Sequence, residues 1–530
     1  MLKYLALTFG LFSIGMLNAW ATNAEPLTYL PNMQAPLPTN ISTNSNSTKV
    51  LPLINLNTNG VLSLRNAILI ALHNNNNITT SLNTRDVQRY DLLTAQEQFE
   101  PQFQINGSAS YDENELASFG AGDTSSSNTT TKQANIGPEM NWQLPLGTQI
   151  SAQGGYNPSY QTGSNQNRSD TTTWTVTLTQ PLLKNFGVAV NEVGLHNAED
   201  QQVIDDITLD QTVSSTVTTI ITDYYTVVQD KLSLDIDKET LQQNKEQLYI
   251  DQQKYAAGRI PRSDVVQAHL NVTTAQQSLQ EAEQTLLTAK AQLLDDMGLP
   301  GNTRFKVDDK LDVIKVNPDL HQSETIALKN NPTYQTDILE FKQNQRSLLT
   351  AENANRWELD LKVQRSRTRA NTNYAPPTGE PNSNNVVNDS QVSLDLTIPL
   401  NQVSLDKTSA TAATNFENAE ITLATSKRTL LTTVNTDLEA IRTDWENILV
   451  AEETYNLSQK NYEAAKIKAS YGKLDTFTLS QQQQQLISDA NSLVSAKISY
   501  IEAVAQFEQE LGILLKSWHI EVQQPHDKPA

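Results

Sequence analysis

The chain contains no cysteine among its 530 residues. This absence excludes disulfide bonds, thiol catalysis, cysteine-ligated metal sites and a lipid anchor on an N-terminal cysteine. Apolar residues are also scarce: they make up 38% of the chain, below the roughly 45–50% that is typical of globular proteins. Gln, Asn, Ser and Thr are abundant instead, so the composition favours elongated packing with much wetted surface over one deep core.

Positive charge is in deficit, with 38 Lys and Arg against 59 Asp and Glu and a formal net charge of −21. No stretch rich in Lys and Arg stands out, so we do not expect nucleic acid as a partner. The acidity has two interpretations. It describes either a solvated surface or an acidic lumen that favours cations.

Long hydrophobic runs are missing too. No stretch of 18 or more consecutive apolar residues occurs, so no transmembrane helix is expected in the mature chain. The N-terminus has the pattern of an export signal, with Lys3, a mostly apolar stretch and the small-x-small site Ala19-Trp20-Ala21. We therefore expect a signal peptide at 1–21 and an extended or disordered leader at 22–60. An exported chain of this kind can still enter a membrane as a closed β-barrel.

The chain carries an internal duplication. Gly258 and Gly298 are 40 residues apart, as are Gly472 and Gly512, and one offset of 214 (472 − 258) superposes the two pairs. An apolar residue at every seventh position before the first glycine survives the same shift. Such a seam is what packed, gently supercoiled helices need. Its positions are Val213, Ile220, Val227, Leu234, Leu241, Leu248 and Tyr255, and then Val434, Ile441, Ile448, Tyr455, Tyr462 and Ala469.

The helical segments recur in both halves. We expect one helix at about 64–98, with Ser63 as its N-cap, and its counterpart at about 322–356. A much longer helix is expected at about 190–257 and again at about 404–470. Each is followed by a shorter returning helix. If the first helix stacks end to end on the returning one, each half becomes a pair of equally long helical rods.

Between the helices, polar and apolar residues alternate in six segments, as in Thr173-Trp174-Thr175-Val176. This alternation suits a barrel wall with lipid on one side and water on the other, and a half-buried soluble sheet gives a similar pattern. The joining segments, such as 120–131 and 371–388, are expected to be long, flexible loops. The strands are expected near 101–111, 133–143, 148–156, 172–180, 358–367 and 391–399.

Several of these segments resemble landmarks of the TolC-like outer-membrane efflux proteins, over roughly residues 60–515. The matching segments are Leu64-Arg65-Asn66-Ala67-Ile68, Thr179-Gln180-Pro181-Leu182-Leu183, Thr397-Ile398-Pro399-Leu400, Tyr255…Gly258…Asp264-Val265 and Tyr471-Gly472. The resemblance implies a mixed α and β membrane protein. Its duplicated strand–long-helix–hairpin repeats form a trimeric outer-membrane β-barrel continuous with a periplasmic α-helical coiled-coil barrel.

The family resemblance also implies a function. The homotrimer would be the outer-membrane channel of a tripartite export system or of type I secretion, working with a periplasmic adaptor (membrane fusion) protein and an inner-membrane transporter. It would pass drugs, metals, toxic compounds or secreted polypeptides outward, without catalysis or a cofactor. Its first repeat is expected at 61–300, a linker at 301–320, the second repeat at 321–515 and a tail at 516–530.

The resemblance places the adaptor contacts at the two helix-turn-helix tips. Glycine permits the turn, and apolar Ile260 and Leu474 are expected to be exposed there; the alternative is that they are turn residues acting as apolar staples. The candidate contact residues are Gly258, Arg259, Ile260, Ser263, Gly472, Lys473 and Leu474.

A pore constriction is expected just beyond the tips. Some family members close this point with aspartates, and the matching positions here are Thr478 and Gln481, with Asp264 in the first copy. A polar amide gate is therefore expected in place of a strong acidic ring. The alternative is that the glutamines at 481–485 line a wetted helix face.

The strand count departs from the family. Subunits of the family contribute four strands each, whereas six are expected here. A trimer would then have an eighteen-stranded barrel, or else the additional hairpin would form an external flap.

Catalysis is not expected. None of the six histidines stands at metal-ligand spacing with a carboxylate cluster, and neither a nucleophile elbow nor a phosphate-binding loop is present. The alternative function from a different class is a non-transporting coiled-coil scaffold or adhesin at the surface or in the periplasm, with the strands as a soluble cap.

Overall fold

The computed structural model describes residues 61–120, 123–163, 167–308, 310–374, 383–400 and 402–522. The expected signal peptide, the leader and the end of the C-terminal tail lie outside these residues. The chain divides into two compact units. The first unit comprises Met1–Asn75, Val213–Ala327 and Val434–Ala530, and the second comprises Asn76–Thr212 and Leu328–Thr433.

The order of elements repeats the pattern of short helices, strands, long helix and returning helix. In the described residues it runs β1 (Val61–Leu62), α1 (Leu64–Asn74), α2 (Asn76–Glu97), β2 (Gln102–Gly120), β3 (Asp123–Gln143), β4 (Gln149–Thr162), β5 (Asn167–Pro181), α3 (Val188–Asn191), α4 (Val193–Ala256), α5 (Arg262–Asp296), β6 (Lys306–Val307), α6 (Leu320–Asn330), α7 (Pro332–Ala354), β7 (Glu358–Tyr374), β8 (Ser383–Thr397), α8 (Val403–Ser470), α9 (Thr476–Glu510) and α10 (Leu514–Ser517).

The shorter helix of each half is broken, so the prediction of one continuous helix at 64–98 and at 322–356 was wrong. Asn75 separates α1 from α2 and Asn331 separates α6 from α7, both with extended backbone at ψ 130° and 123°. Asn331 accepts a hydrogen bond from the backbone N–H of Tyr334 at 2.9 Å, and Pro332 occupies the first helical position. An Asn cap and a following Pro both favour a new helix start. The predicted cap at Ser63 is present, accepting from the Asn66 N–H at 3.3 Å.

Six long strands of the second unit form one antiparallel sheet in the order β2-β3-β4-β5-β7-β8. The two halves of the chain meet where β5 pairs with β7, for example at Trp174 opposite Arg367. The β2–β3 hairpin therefore extends this sheet and is not a separate flap. The strands also run through most of the expected loops, because β2 and β3 continue to Gly120 and Asp123.

The sheet has one predominantly apolar and one polar face. Directly paired residues project to the same side of a sheet. The pairing therefore places the alternate apolar residues of all six strands on one side of the sheet. We call their side the apolar face and the opposite side the polar face. Representative members of the apolar face are Phe103, Met140, Val176, Leu361 and Leu394.

The first unit is held together by the seven-residue seam of the long helices. Val213, Ile220 and Val227 of α4 are fully buried, and Val434 and Ile441 of α8 are at most 1% exposed. An apolar position that recurs every seven residues is one of the two positions that coiled-coil packing buries in each heptad. The seam loosens toward the end of α4, where Tyr255 is 46% exposed.

Residues 301–320 are tied to the helices of the first unit. β6 pairs in parallel with β1, and Tyr500 of α9 both accepts from the Val316 N–H at 2.8 Å and donates to the Ile314 carbonyl at 3.1 Å. None of the helices in the described ranges combines the length and hydropathy needed to cross a membrane.

Candidate functional site at the helical tips

The two tip turns have the same backbone geometry. Gly258 and Gly472 adopt φ values of 67° and 69°. The N–H groups of Arg259 and Lys473 reach back to the carbonyls of Lys254 and Lys468, each at 2.9 Å. This is the Schellman arrangement that ends a helix with a left-handed residue. A Cβ at either glycine would meet no atom within 4 Å, so backbone conformation alone calls for glycine here.

The returning helices begin differently in the two copies. At α9, Asp475 caps the helix by accepting from the Thr478 backbone N–H at 2.8 Å and from the Thr478 hydroxyl at 2.9 Å. These bonds, the backbone one first, hold the pKa of Asp475 below its usual value. At α5, Pro261 stands at the cap without a side-chain bond, and the Ser263 hydroxyl donates to Asp264 at 3.2 Å.

These bonds change the interpretation of the expected constriction. The Thr478 hydroxyl donates to the cap carboxylate. The sequence prediction had not singled out Asp475, an exposed carboxylate at the second tip. Asp264 is half-buried in the first turn of α5, and Gln481 is exposed on α9. In the glutamine run, Gln483 is the buried member at 8% exposure.

The apolar residues predicted to be exposed at the tips are half-buried. Leu474 packs on the small cluster formed by Ala465, Ala469 and Leu479, and Ile260 is also partly covered. The prediction that both are exposed was therefore wrong, and for Leu474 the reason is that the turn directs its side chain back on the hairpin. The exposed apolar side chains are instead Tyr255 (46%), Ile467 (59%), Tyr471 (77%) and Phe477 (57%).

The tip turns also carry exposed cationic side chains. Arg259, Arg262 and Lys473 are all exposed at the turns. The sequence signal that could have located the aromatic residues is the tyrosine that precedes each tip glycine, Tyr255 in the first copy and Tyr471 in the second. The tips thus present an apolar and basic surface.

Polar side chains link the first hairpin (α4 and α5) to the second (α8 and α9) near the tips. The Asn271 side-chain amide donates to the Ser480 hydroxyl at 2.6 Å, which joins α5 to α9. The Thr476 hydroxyl donates to Asp251 at 3.0 Å, which joins α9 to α4. Asp251 is 1% exposed and also accepts from Gln247 at 2.9 Å.

A third link lies about three to four helical turns from the tip glycines. The side-chain oxygen of Gln243 in α4 accepts from the Tyr462 hydroxyl and from the Gln483 side-chain amide, each at 3.0 Å. A half-buried polar cluster of this kind is stable while every member keeps its partner, and it is expensive to leave partly satisfied. The two hairpins are therefore connected by specific hydrogen bonds between side chains.

A separate pair of carboxylates lies between α4 and the end of α5. Burial, and then the adjacent Asp296 carboxyl, raise the pKa of Asp223 to about 7. The position that follows by the 214-residue offset, Asp437, also has a raised pKa because of burial. Sequence reasoning passed over both residues because an Asp on a long polar helix gives no sign of its burial.

Metal-ligating groups do not come together in this part of the molecule. Across the described ranges, His, Asp and Glu side chains form no cluster of three or more that could hold a metal ion.

Residues 149–299 match the protein family described as Outer membrane efflux protein. No curated protein matched the chain by sequence. Among solved structures, the open state of the Neisseria gonorrhoeae MtrE outer membrane channel superposes with a TM-score of 0.61 at 14% identity, covering 92% of this chain and 98% of that one.

Two further channels are similar. The Campylobacter jejuni CmeC outer membrane channel gives a TM-score of 0.60 at 15% identity, covering 85% of this chain and 86% of that chain. The outer-membrane channel OprN gives 0.63 at 12% identity, covering 85% and 89%. At these identities the structures establish the fold, a mixed helix and sheet architecture, and the similar proteins are channels rather than enzymes.

The resemblance predicted from the sequence is therefore confirmed: residues 149–299 match the outer membrane efflux protein family, and the chain has the fold of solved outer-membrane channels.

Proposed function

We propose that the chain is the outer-membrane channel of a tripartite export system, acting as a homotrimer with a periplasmic adaptor (membrane fusion) protein and an inner-membrane transporter. Its cargo is drugs, metals, other toxic small molecules or secreted polypeptides, and its gate lies at the helical tips. The observation that carries the proposal is the six-stranded sheet with two open edges.

The edge strands argue for closure between copies. β2 and β8 end the sheet order, and they are 19 and 15 residues long. Long unpaired edges expose rows of backbone N–H and C=O groups, which membrane lipid cannot satisfy. Pairing β8 of one copy with β2 of the next removes every edge. Three copies of a six-stranded sheet then give an eighteen-stranded barrel.

The two faces of the sheet suit such a barrel. The apolar face would meet lipid and the polar face would line the lumen. In the described strand residues, the polar face carries one cation, Lys362, and a group of carboxylates. Two of these, Asp360 and Asp395, stand directly opposite each other. The carboxylates are Asp112, Glu139, Glu358, Asp360, Asp389 and Asp395, and a lumen of this charge favours cations.

The tips suit a docking surface and a gate. Exposed Tyr471 and Phe477, together with the exposed cations Arg259 and Lys473 at the tips, would fit an adaptor with apolar and acidic groups. The hydrogen bonds between the two hairpins would hold the tip closed, and breaking them would let one hairpin move away from the other.

Cysteine cross-linking tests the closure. Because the chain has no cysteine, Ala109→Cys in β2 can be combined with a single cysteine scanned along the apolar face of β8, at Val386, Asn388, Ser390 and Val392 in turn. Oxidation of the protein in membranes should give covalent dimers and trimers on a non-reducing gel for at least one pair. Ala109→Cys combined with Thr177→Cys, in the interior strand β5, should give none. If the whole scan stays monomeric, closure of β8 on β2 is wrong.

A further inference from the structure

Three arginines follow one another on the apolar face of β7. Arg365, Arg367 and Arg369 alternate along the strand and are all exposed. They continue the same face as Leu359, Leu361 and Val363. Alternate residues on a strand are separated by roughly 6.8 Å, so the three guanidinium groups form a short basic stripe. We call residues 365, 367 and 369 the arginine stripe.

One carboxylate lies on the same face near the stripe: Asp170, opposite Asn371, pairs with Arg168 at 3.4 Å and accepts from the Tyr156 hydroxyl at 3.2 Å. Arg365 donates to the Ser390 hydroxyl at 2.9 Å, and the residues paired with Arg367 and Arg369 are Trp174, Asn388, Thr172 and Val386. The carboxylates of the neighbouring β8, Asp389 and Asp395, project to the polar face. Within the part of the chain that the structure describes, none of the three arginines forms an ion pair.

The stripe begins where the apolar band of the sheet ends. On β2 and β4 the apolar residues of this face extend to Tyr111 and Tyr160, which lie in the pairing row of Lys132, Arg168 and Asn373. On β5 they end at Trp174, which pairs with Arg367, and on β7 they end at Val363. Counted along β7, the upper limit of the band therefore falls from the row of residue 373 at β4 to that of residue 367 at β5 and to residue 363 on β7 itself.

The lower limit of the band shifts in the same way. On β3, β4 and β5 the band begins at Trp142, Ile150 and Leu178, which all lie in the row of Val363, whereas on β7 it begins lower, at Leu359. Both limits therefore lie nearer the start of β7 than the rows of the earlier strands would place them. Tilted barrel strands produce a shift of this kind, because the membrane plane crosses the pairing rows obliquely.

The arginine stripe therefore begins at the upper boundary of the band on β7, directly after Val363, the last apolar residue of that strand on this face. Tyr and Trp favour the lipid headgroup level, and Trp174, 56% exposed, lies beside Arg367. Arginine is strongly disfavoured at the bilayer midplane and far less so near the headgroups. Its planar fork binds phosphate oxygens in pairs.

We infer that the arginine stripe is a binding site for the phosphate group of an anionic lipid in the outward leaflet. The inference rests on the proposed function, since it requires the apolar face to contact lipid. The trimer would carry three such sites. Lys132 and Arg168 lie on the same face, in the pairing row of Asn373, but Arg168 already pairs with Asp170 at 3.4 Å, so the stripe on β7 is the stronger site.

Lipid selectivity at the protein surface tests the site. The full-length protein is reconstituted into phosphatidylcholine vesicles containing spin-labelled phosphatidic acid or spin-labelled phosphatidylcholine. Electron paramagnetic resonance then gives the relative association of each label. The wild type should prefer phosphatidic acid by about five-fold or more, the effect of about one basic side chain near an anionic surface. The triple variant R365Q/R367Q/R369Q should lose most of this preference.

Two controls define the outcome. Lys362→Gln, which removes a cation from the polar face, should keep the preference, and R365K/R367K/R369K should keep part of it because charge remains without the guanidinium fork. Equal association of the two labels with the wild type, or an unchanged preference in the triple Gln variant, would overturn the site alone. Absence of any motionally restricted lipid would show that the sheet does not contact lipid, and would overturn the proposed function as well.

Discussion

The Asn271 side-chain amide donates a 2.6 Å hydrogen bond to the Ser480 hydroxyl, and so joins the returning helices of the two hairpins. Both residues lie within the first unit, 13 residues (271 − 258) and 8 residues (480 − 472) after the tip glycines. A bond between side chains of different hairpins can be lost without disturbing either helix. It is therefore a suitable element to distinguish a closed tip from an open one.

Loss of this bond should favour opening. We expect Asn271→Ala and Ser480→Ala each to raise the single-channel conductance or open probability in planar bilayers. The double variant should have no more effect than the stronger single variant, since both remove one interaction. As the matched control, Ser492→Ala removes a hydroxyl that bonds only the Ser488 carbonyl of its own helix. Strictly additive effects of the two tip variants would contradict a direct role for the bond.

The buried Asp251 should matter for stability. Thr476→Val removes the hydrogen bond that the Thr476 hydroxyl of α9 donates to Asp251. The buried carboxyl oxygen of Asp251 then has fewer partners, which should lower the unfolding free energy by about 1–3 kcal/mol. Thermal denaturation of the detergent-solubilised protein measures the change. Thr454→Val is the control, because that hydroxyl bonds the Val450 carbonyl of its own exposed helix. Equal melting temperatures for the two variants would show that the link between α4 and α9 is not stabilising.

The exposed aromatic residues at the second tip should be needed for export. We expect the double variant Tyr471→Ala and Phe477→Ala to abolish most of the resistance or secretion that depends on the channel, in a host from which the native gene is deleted. Conductance of the purified protein should change little, because the loss is one of docking. Tyr90→Ala, an exposed tyrosine on α2, should leave export intact. Full export by the double variant would place the adaptor contact elsewhere.

Stability should fall with rising pH because of Asp223. Burial and the neighbouring Asp296 raise its pKa to about 7 in the folded protein, against 3.8 for the ordinary side chain. Between about pH 4 and pH 7 the folded state therefore binds more protons than the unfolded state, so raising the pH destabilises it. Asp223→Asn should raise the melting temperature at pH 8 and flatten the dependence on pH.

The control for this experiment is Asp235→Asn, which removes an exposed carboxylate paired with Lys231. It should leave the slope of melting temperature against pH unchanged. Asp230, Asp237 and Asp437 also have pKa values raised by burial, so a reduced slope remains in Asp223→Asn. Identical slopes in the wild type and Asp223→Asn would contradict the assignment.

The long helices were predictable from sequence because their apolar seam repeats every seven residues, and burial of Val213 and Val434 follows from it. The six long strands were predicted in the right places, but their predicted ranges are shorter than the strands in the structure. Their outer parts, such as Ser125 to Thr131 of β3, are rows of Ser, Thr and Asn. Without alternating apolar residues, only cross-strand backbone pairing marks them as strands.

The tip was predicted less well. The glycine turns followed from their spacing, but the exposure of a residue depends on which way the turn directs it. Leu474 was therefore expected outside and packs inward, while Tyr471 and Phe477 are the exposed residues. The links of Asn271 and Asp251 join residues more than 200 positions apart, and pairing over such a distance leaves no local sequence pattern.

Conductance of the purified full-length protein in a planar bilayer is the most direct test of the channel. We expect discrete conductance steps from the wild type. They should increase in Asn271→Ala and also when the candidate constriction is trimmed by Asp264→Ala or Gln481→Ala. Steps that none of these substitutions alters would keep the channel and move the gate away from the tips. A protein that neither inserts nor conducts, and stays in solution without detergent, would contradict the account and favour a scaffold or adhesin.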